Sequence, residues 1–408
     1  MPWPTKKLGE LVDFLDNQRK PISDEKRQKR IGPYPYYGAN GQVSWIDDFL
    51  FDEDLVLLAE DGGYFGSKDR PIAYRIFGKT WVNNHAHVLR VKRGIAETGF
   101  IHYRLMFYDI KPYITGSTRT KLNKSAAEKI KIPLPPLSIQ KQIVERLDKI
   151  AEAQKINDEL IQKANELFQS LLHKEIDPVG PADASTFVKT SADKKAMAGK
   201  KNWEVKKLGE VCEIARGGSP RPINKYLTNS SDGINWIKIG DVKEGEMYIT
   251  STKQKINPEG ISKTRLVKEG DFILSNSMSF GRPYIMKISG AIHDGWLLLH
   301  LKNTDISTDF LYYVLGSSQT QTQFEKSASG GVVRNLNSDL VRKIKILVPP
   351  IEVQKQIVEK LSAVQEYKKQ LLTQKLKLKE LFYSFLNVSI PFSCVIYYLK
   401  YLKRTFRF

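Results

Sequence analysis

The stretch KIKIPLPPLSIQKQIVERL (residues 129–147) returns 214 positions later as KIKILVPPIEVQKQIVEKL (343–361), with thirteen identities in nineteen residues. Proline lacks a backbone N–H and blocks the helical turn before it, so each proline pair ends a strand and starts a helix. After each pair, apolar residues recur mainly three and four positions apart, which predicts two helices of roughly 35 residues. A long helix with a single apolar stripe needs a partner helix, and each copy offers one to the other.

We expect these stripes to pair the two helices as an antiparallel coiled coil. The residues expected in the pairing are Ile143, Leu147, Ile150, Leu160, Leu167, Leu171, Ile357, Leu361, Val364, Leu371, Leu378 and Phe382.

A second repeat lies upstream of the first, since WPTKKLGELVDFL begins at Trp3 and WEVKKLGEVCEIA at Trp203. The middles between the repeats resemble each other only weakly. They contain short β-branched or apolar runs bounded by Gly, Asn and Asp, such as DLVLLAEDGG (54–63) and GDFILSNS (270–277), with short helices expected near 100–108 and 309–315. The predicted class is α+β: two tandem α/β domains, each followed by a long α-helix, related by pseudo-two-fold symmetry.

Composition favours a polyanionic partner. Lys and Arg outnumber Asp and Glu by 64 to 45, a formal net charge of +19, although a protein can be basic without binding nucleic acid. Two cysteines, Cys212 and Cys394, form no disulfide framework, and neither a secretory signal nor a membrane-length apolar run is visible, so we expect a cytoplasmic protein.

The whole arrangement, from Trp3 to about Leu386, closely resembles the specificity subunit (HsdS) of type I restriction–modification enzymes. The resemblance rests on LPPLSIQKQIVERL (134–147) and VPPIEVQKQIVEKL (348–361), the KKLGE openings (6–10 and 206–210), TKLN (120–123) and RNLN (334–337). It implies target-recognition domain 1 at 1–136, a central conserved spacer helix at 137–175, target-recognition domain 2 at 202–350 and a C-terminal conserved spacer helix at 351–388. A linker at 176–201 and a tail at 389–408 depart from the family pattern.

The resemblance also implies partners and cofactors. Double-stranded DNA would be bound, with each domain reading half of an asymmetric split target. Two methyltransferase subunits using S-adenosylmethionine would methylate adenine N6, and two restriction/translocase subunits would use ATP and Mg. This chain itself would bind no cofactor and no metal.

The sequence offers little support for catalysis by this chain. It lacks a G-x-x-x-x-G-K-[ST] phosphate loop and an Asn/Asp-Pro-Pro-aromatic motif for amino methylation. His85 and His87 would share a face of a strand, but no third metal ligand is evident, so a structural or DNA-contacting role is favoured. Glu60 and Asp61 resemble half of a nuclease carboxylate pair, yet a turn before Gly62 explains them better.

Base edges are contacted by Arg, Asn, Gln, Lys and Ser on loops, and glycine-flanked segments are the best candidates here. The candidates in the first domain are Tyr36, Tyr37, Asn40, Gln42, Ser67, Lys68, Arg70, Ser117, Thr118, Arg119 and Lys121. Those in the second domain are Arg216, Ser219, Arg221, Asn224, Lys225, Asn276, Ser277, Ser279, Arg282, Arg334 and Asn335. Each of them is otherwise a solvated loop residue, and Tyr36 is as well suited to packing as to stacking on bases.

Three other interpretations remain open at this point. The long helices could scaffold an assembly unrelated to DNA, which predicts no salt-dependent DNA affinity. The chain could serve a related restriction system whose partner fuses methyltransferase and nuclease. It could also be an enzyme, in which case the isolated chain modifies or cuts DNA. The bases read do not follow from the sequence; we expect only that lengthening the helix after Gln140 changes the spacer between half-sites.

Overall fold

The computed structural model describes residues 3–67, 69–116, 120–176, 202–242, 245–276, 281–327 and 336–388. The chain divides into two compact units. Unit 1 comprises residues 1–159 and 373–408, and unit 2 comprises residues 160–372. Each unit therefore holds one globular domain with parts of both long helices. The predicted linker after Ile176 and the predicted tail after Val388 lie outside the described residues.

Unit 1 is built on two four-stranded sheets. Its strands are β1 Thr5–Lys7, β2 Val12–Phe14, β3 Tyr34–Gly38, β4 Gly41–Ile46, β5 Phe51–Asp52, β6 Leu55–Ala59, β7 Ala73–Ile76, β8 Lys79–Val82, β9 Ala86–Val91 and β10 Lys131–Pro133. One sheet has the order β2-β9-β6-β7 and is antiparallel throughout; the other has the order β4-β3-β8-β5, with β3 parallel to β8. The short β1 pairs with β10 just before the proline pair.

The helices of unit 1 contact both of its sheets. They are α1 Leu8–Leu11, α2 Asp24–Gln28, α3 Thr98–Met106, α4 Lys124–Ala127 and the start of α5 Leu137–Ile176. The buried run of β6 packs with Phe100 of α3 and Leu147 of α5 in one apolar cluster. The helix predicted near 100–108 is thus present, and α5 begins directly after the proline pair as predicted.

Unit 2 repeats this plan with more strands. They are β11 Glu204–Lys207, β12 Cys212–Arg216, β13 Leu227–Thr228, β14 Ile234–Ile237, β15 Tyr248–Ile249, β16 Gln254–Ile256, β17 Arg265–Val267, β18 Phe272–Ser275, β19 Pro283–Met286, β20 Gly290–Ile292, β21 Trp296–Leu301 and β22 Lys345–Val348. The two larger sheets have the orders β12-β21-β18-β19-β15 and β13-β16-β14-β20-β17, while β11 pairs with β22.

The helices of unit 2 are α6 Leu208–Val211, α7 Thr308–Gly316, α8 Ser318–Ser327, α9 Ser338–Lys343 and the start of α10 Ile351–Val388. Ile357 and Leu361 of α10 share an apolar cluster with Phe310 of α7 and with the end of α5. The two chain segments that carry the fixed repeats therefore perform the same packing task in both units.

Within each unit the two long helices contact each other. In unit 1, Gln154 donates to the Leu378 carbonyl at 3.2 Å, and Lys375 lies 2.8 Å from Asp158. Residue numbers rise along one helix as they fall along the other, so these segments run antiparallel. In unit 2, Lys360 lies 3.1 Å from Glu175.

The predicted stripe is shared between helix pairing and domain packing. Ile143, Leu147 and Phe382 are buried in the apolar cluster of unit 1, together with sheet residues. The prediction that Leu167 takes part in helix pairing is wrong, because this residue is 50% exposed. The buried face of α5 there includes Ala164 and Leu172 instead. These residues are eight positions apart and therefore lie on the same side of a helix with 3.6 residues per turn. The other predicted stripe residues are buried or half-buried: Ile150, Leu160, Leu171, Ile357, Leu361, Val364, Leu371 and Leu378.

Among the described residues, no helix has the length and apolar character needed to cross a membrane. The long helices α5 and α10 carry charged residues along their whole length.

Candidate nucleic-acid interface

Three loop segments of unit 2 meet at one end of its first sheet. Arg216 closes β12 opposite Leu297, and Ser275 closes β18 opposite Trp296, at the start of β21. Because these strands are antiparallel, the residues that follow β12 and β18 lie beside those that precede β21. Arg216 and Asn276, which belong to two of the candidate segments, are thus neighbours in space.

Asp294, which was not among the predicted residues, organises this end of the sheet. Its carboxylate accepts a hydrogen bond from Ser219 Oγ at 3.0 Å and lies 3.4 Å from Arg221 Nη2. Its backbone carbonyl accepts from Asn276 Nδ2 at 2.8 Å and from Arg216 Nε at 3.3 Å. Four predicted residues, three from 216–221 and one at position 276, therefore converge on Asp294.

The charge of Asp294 is stabilised locally. Burial raises the pKa of its carboxyl, but the hydrogen bond from Ser219, the charge of His293 and the contact with Arg221 outweigh this and hold the pKa below its ordinary value of 3.8. The group is a carboxylate at neutral pH.

The glycines of this loop serve the loop itself. A Cβ added to Gly217 would lie 2.3 Å from the His293 carbonyl oxygen, and one added to Gly218 would lie 2.5 Å from the Lys263 carbonyl oxygen. Only glycine allows these close backbone contacts. The sequence suggested that Gly217 and Gly218 allow a ligand to approach the backbone closely. The space beside them is instead occupied by the chain's own backbone.

Unit 1 carries a different group at the equivalent point. Glu60 directly follows β6, and Asn276 directly follows β18. The N–H of Glu60 donates to the His85 carbonyl at 2.9 Å, and the N–H of Asn276 donates to the Gly295 carbonyl at 3.0 Å. Glu60 is bound by Arg19 at 2.7 Å and by Lys121 at 3.0 Å. Lys121, a predicted DNA contact, is therefore already paired.

His87 completes the charged cluster of unit 1. Its Nδ1 lies 2.6 Å from Asp16 Oδ2 and its Nε2 lies 2.7 Å from the Leu122 carbonyl oxygen. Both ring nitrogens therefore lie within hydrogen-bonding distance of an oxygen atom. Burial raises the pKa values of Asp16 and Glu60, but the hydrogen bonds and charges of His87, Arg19 and Lys121 outweigh it, and both pKa values are lowered.

Asp16, Glu60 and His87 place one potential metal-ligand atom each within 4.8 Å of one another. This proximity was not predicted from the sequence. The ring nitrogens of His87 are already hydrogen-bonded, and Glu60 is paired with two cations. These contacts describe a charge-paired core. His85, which was predicted to share a strand face with His87, forms a hydrogen bond with Asp61 instead. Asp61 is one of the two acidic residues that were predicted to form a turn.

The remaining predicted residues differ in accessibility. Tyr36 is 1% exposed and packs with Ile46 and Trp81, so it is a core residue and cannot stack on a base. Tyr37 and Ser67 are half-buried. Exposed at the surface are Asn40, Gln42, Arg70, Asn224, Lys225 and Arg282. Outside the described residues lie Lys68, Ser117, Thr118, Arg119, Ser277, Ser279, Arg334 and Asn335.

Unit 1 also has a basic and aromatic face, which was not predicted from the sequence. The guanidinium of Arg27 lies 4.8 Å from the ring centroid of Tyr36, that of Arg30 lies 5.1 Å from Trp81, and the Lys79 ammonium lies 4.7 Å from Phe49. Such cation–π contacts hold the cations close to the sheet. The run EKRQKR (25–30) was the available signal.

Known proteins share this sequence pattern and fold. The family model described as the type I restriction modification DNA specificity domain matches residues 1–166 and again 200–380. A chain of Haemophilus influenzae, provisionally named as a type I restriction enzyme specificity subunit, is 28% identical over 359 residues, which cover 86% of this chain and 85% of that one.

Two solved structures have the same fold. The type I restriction–modification S subunit from M. genitalium superimposes with a TM-score of 0.62 at 16% identity, covering 96% of each chain. A structure described as showing complex assembly and conformational transition of the type I restriction–modification system gives a TM-score of 0.57 at 17% identity, covering 95% of this chain and 97% of that one. Since the family model matches both halves of the sequence, the chain belongs to the family of type I restriction–modification DNA specificity (HsdS) subunits.

Proposed function

We propose that this chain gives a type I restriction–modification complex its DNA sequence specificity, with each unit reading one half of an asymmetric, bipartite target. The observation that carries this proposal is the contrast between equivalent points of the two units. Glu60 and Asn276 occupy matching backbone positions, yet one is a paired carboxylate and the other a neutral amide. Both residues are buried, so they shape the loops around them, and different groups at equivalent strand ends support half-sites that differ.

The charge balance supports DNA as the ligand. A formal charge of +19 favours binding to the phosphate backbone, which positions the protein while loop side chains discriminate bases. Affinity therefore falls steeply with salt. A scaffold unrelated to DNA would lack this dependence.

The repeated helix starts support docking of two copies of one partner. Within the sequence KQIVE, which both helices contain, Lys141, Gln142 and Glu145 are exposed on α5. Their counterparts Lys355, Gln356 and Glu359 are exposed on α10. Folding does not require identity at exposed positions, so a shared binding role explains it. We assign this surface to two methyltransferase subunits, with the helices setting the spacer between half-sites.

Catalysis and its cofactors are assigned to the partners. In this proposal the methyltransferase subunits use S-adenosylmethionine to methylate adenine N6, and two restriction/translocase subunits use ATP and Mg. This chain directs them to the target without binding a cofactor itself.

The test is a genome-wide map of N6-methyladenine in host cells with and without this gene, with the methyltransferase partner present. Loss of one gapped motif on deletion is expected. Purification of the intact complex then identifies the partners: separate methyltransferase and nuclease chains fit the proposal, whereas one fused chain assigns the protein to a related restriction system. An unchanged map, together with absence of DNA binding by the purified complex, would overturn the proposal.

A further inference from the structure

We infer that Arg221, held by Asp294, contacts a guanine in the half-site read by unit 2. This inference rests on the proposed function and adds a residue and a base to it. It starts from the convergence of Arg216, Ser219 and Asn276 on Asp294 described above, which leaves Arg221 as the outermost member of the cluster.

Arg221 is accessible and largely uncommitted. Its side chain is 81% exposed, and its hydrogen bond to Asp294 Oδ2, at 3.4 Å, is its only polar side-chain contact among the described residues. Arg19 of unit 1 shows the opposite arrangement, since it is 12% exposed and donates to Glu60 and to the Ala86 carbonyl at 2.7 Å each. A guanidinium has five N–H donors, so Arg221 retains a full edge for a ligand.

The chemistry favours a base edge over a phosphate. Guanine presents two neutral acceptors, O6 and N7, in the major groove, and an arginine binds both at once. A phosphate beside Arg221 would be repelled by the carboxylate of Asp294, whereas guanine would not. The cytosine of the same pair offers an N4 amino donor, which a carboxylate accepts. An arginine and an aspartate side by side therefore match a G·C pair.

The cluster is also organised before DNA arrives. Ser219 and Asn276 fix the carboxylate and the backbone of Asp294, and the N–H groups of Gly217 and Gly218 donate to the Trp296 and Ile292 carbonyls at 2.9 and 3.2 Å. Holding a side chain in its bound geometry reduces the entropy lost on binding. Asp294 has two roles in this account, since it positions Arg221 and accepts from the cytosine N4 amino group, while Arg221 contacts the guanine.

The experiment uses the whole complex. N6-methyladenine maps are compared for the unchanged chain, Arg221→Lys, Asp294→Asn and a control, Arg265→Lys, which changes another exposed arginine of unit 2. The expected result is relaxed preference at one G·C position of one half-site for Arg221→Lys and Asp294→Asn, with the other half-site and the spacer unchanged. Arg265→Lys should leave the motif intact.

A binding measurement removes the acceptor from the DNA instead. Replacing guanines of that half-site one at a time by 7-deazaguanine, which removes N7 and keeps O6, should weaken binding about 5-fold at a single position, the lower end of the range for a bidentate base contact. The Arg221→Ala complex should show no further loss at that position. Circular dichroism of each variant confirms folding, which an exposed residue should not affect.

The outcomes separate the two proposals. If the unchanged complex methylates no gapped motif and binds no DNA, the proposed function fails. If it methylates a gapped motif but Arg221→Lys and Asp294→Asn leave every base preference intact, the inference alone fails. Uniformly weaker binding with an unchanged motif would mean that Arg221 contacts a phosphate, which also overturns the inference.

Discussion

Gln140 and Gln354 occupy matching positions in the two sequence repeats and make the same set of hydrogen bonds. Gln140 lies in the first turn of α5 and is 1% exposed. Its Nε2 donates to the Pro135 carbonyl at 2.8 Å and to the Ile95 carbonyl at 3.4 Å, and its Oε1 accepts from the Glu97 N–H at 2.9 Å. The side chain thus joins the helix to the loop before α3.

Gln354 does the same in unit 2. It donates to the carbonyls of Pro349 and Asp305 at 2.8 Å each and accepts from the Ser307 N–H at 2.9 Å. A buried amide that satisfies three backbone groups fixes the direction in which the helix leaves the domain. The glutamine at this position of the repeat therefore anchors each long helix to its own domain.

Replacing Gln140 by leucine should destabilise unit 1. The change leaves buried backbone groups without partners, which costs about 1–3 kcal/mol. Chemical denaturation of the purified complex, followed by hydrogen exchange of the amide of Glu97, measures the loss. Gln169→Leu is the matched control, because Gln169 is exposed on the same helix and lies outside the repeated helix start. Equal effects of the two variants would refute the assigned role.

Phe382 should stabilise the first domain although it lies near the other end of the chain. It is 7% exposed in the apolar cluster of unit 1, with its ring centroid 6.0 Å from that of Tyr103. Phe382→Ala should lower the free energy of unfolding by about 3–5 kcal/mol, and amides of α3 should exchange faster. Leu381→Ala, at a 51% exposed neighbour, should have little effect. Faster exchange confined to unit 2 would contradict this packing.

Acid should weaken unit 1 through its buried carboxylates. The pKa values of Asp16 and Glu60 are lowered by folding, from ordinary values of 3.8 and 4.5. Groups with depressed pKa values contribute stability above their unfolded-state pKa and lose it as the pH falls through the folded-state pKa. The Tm difference between the unchanged chain and Asp16→Asn should therefore be large at pH 7 and shrink below about pH 4. Glu25→Gln, at an exposed site, should show no such trend; a constant difference for Asp16→Asn would count against the network.

The repeated exposed residues should govern partner number. Glu145→Lys alone, or Glu359→Lys alone, should yield complexes with one methyltransferase subunit, and the double variant should bind none. Native mass spectrometry of the purified complex gives the stoichiometry. Glu159→Lys is the control, because Glu159 is exposed on α5 but its repeat counterpart is Thr373. Retention of two subunits by the double variant would remove the helix starts from the docking surface.

The sequence was sufficient for the elements that short-range rules determine. Proline pairs and periodicity located both long helices, with α5 and α10 beginning directly after Pro136 and Pro350. The apolar runs at 54–63 and 270–277 contain strands β6 and β18 as predicted. These features depend on neighbours in sequence, which a single chain displays.

Features that depend on distant contacts were not predictable. Leu167 fits a heptad-like list, but the domain packed against α5 selects a different face. Tyr36 resembles a surface aromatic, but Ile46 and Trp81 from neighbouring strands of its own sheet pack against it. Asp294 has no distinctive sequence context, and its role follows only from strand register, which brings Ser219 and Asn276 to it.

The central claim is that two units read two half-sites and that the paired helices set their spacing. Since Ile143 and Leu147 are buried in unit 1, helix α5 should be lengthened after Glu159, where unit 1 ends, and not close to Gln140. A seven-residue insertion there, matched by one after Leu372 in α10, adds about 10 Å and keeps the apolar face in register.

The measurement is an N6-methyladenine map of cells carrying the lengthened chain with its partners. The account predicts the same two half-sites separated by a spacer roughly three base pairs longer, at about 3.4 Å per base pair. Changed bases within either half-site, or an unchanged spacer with full methylation, would contradict it.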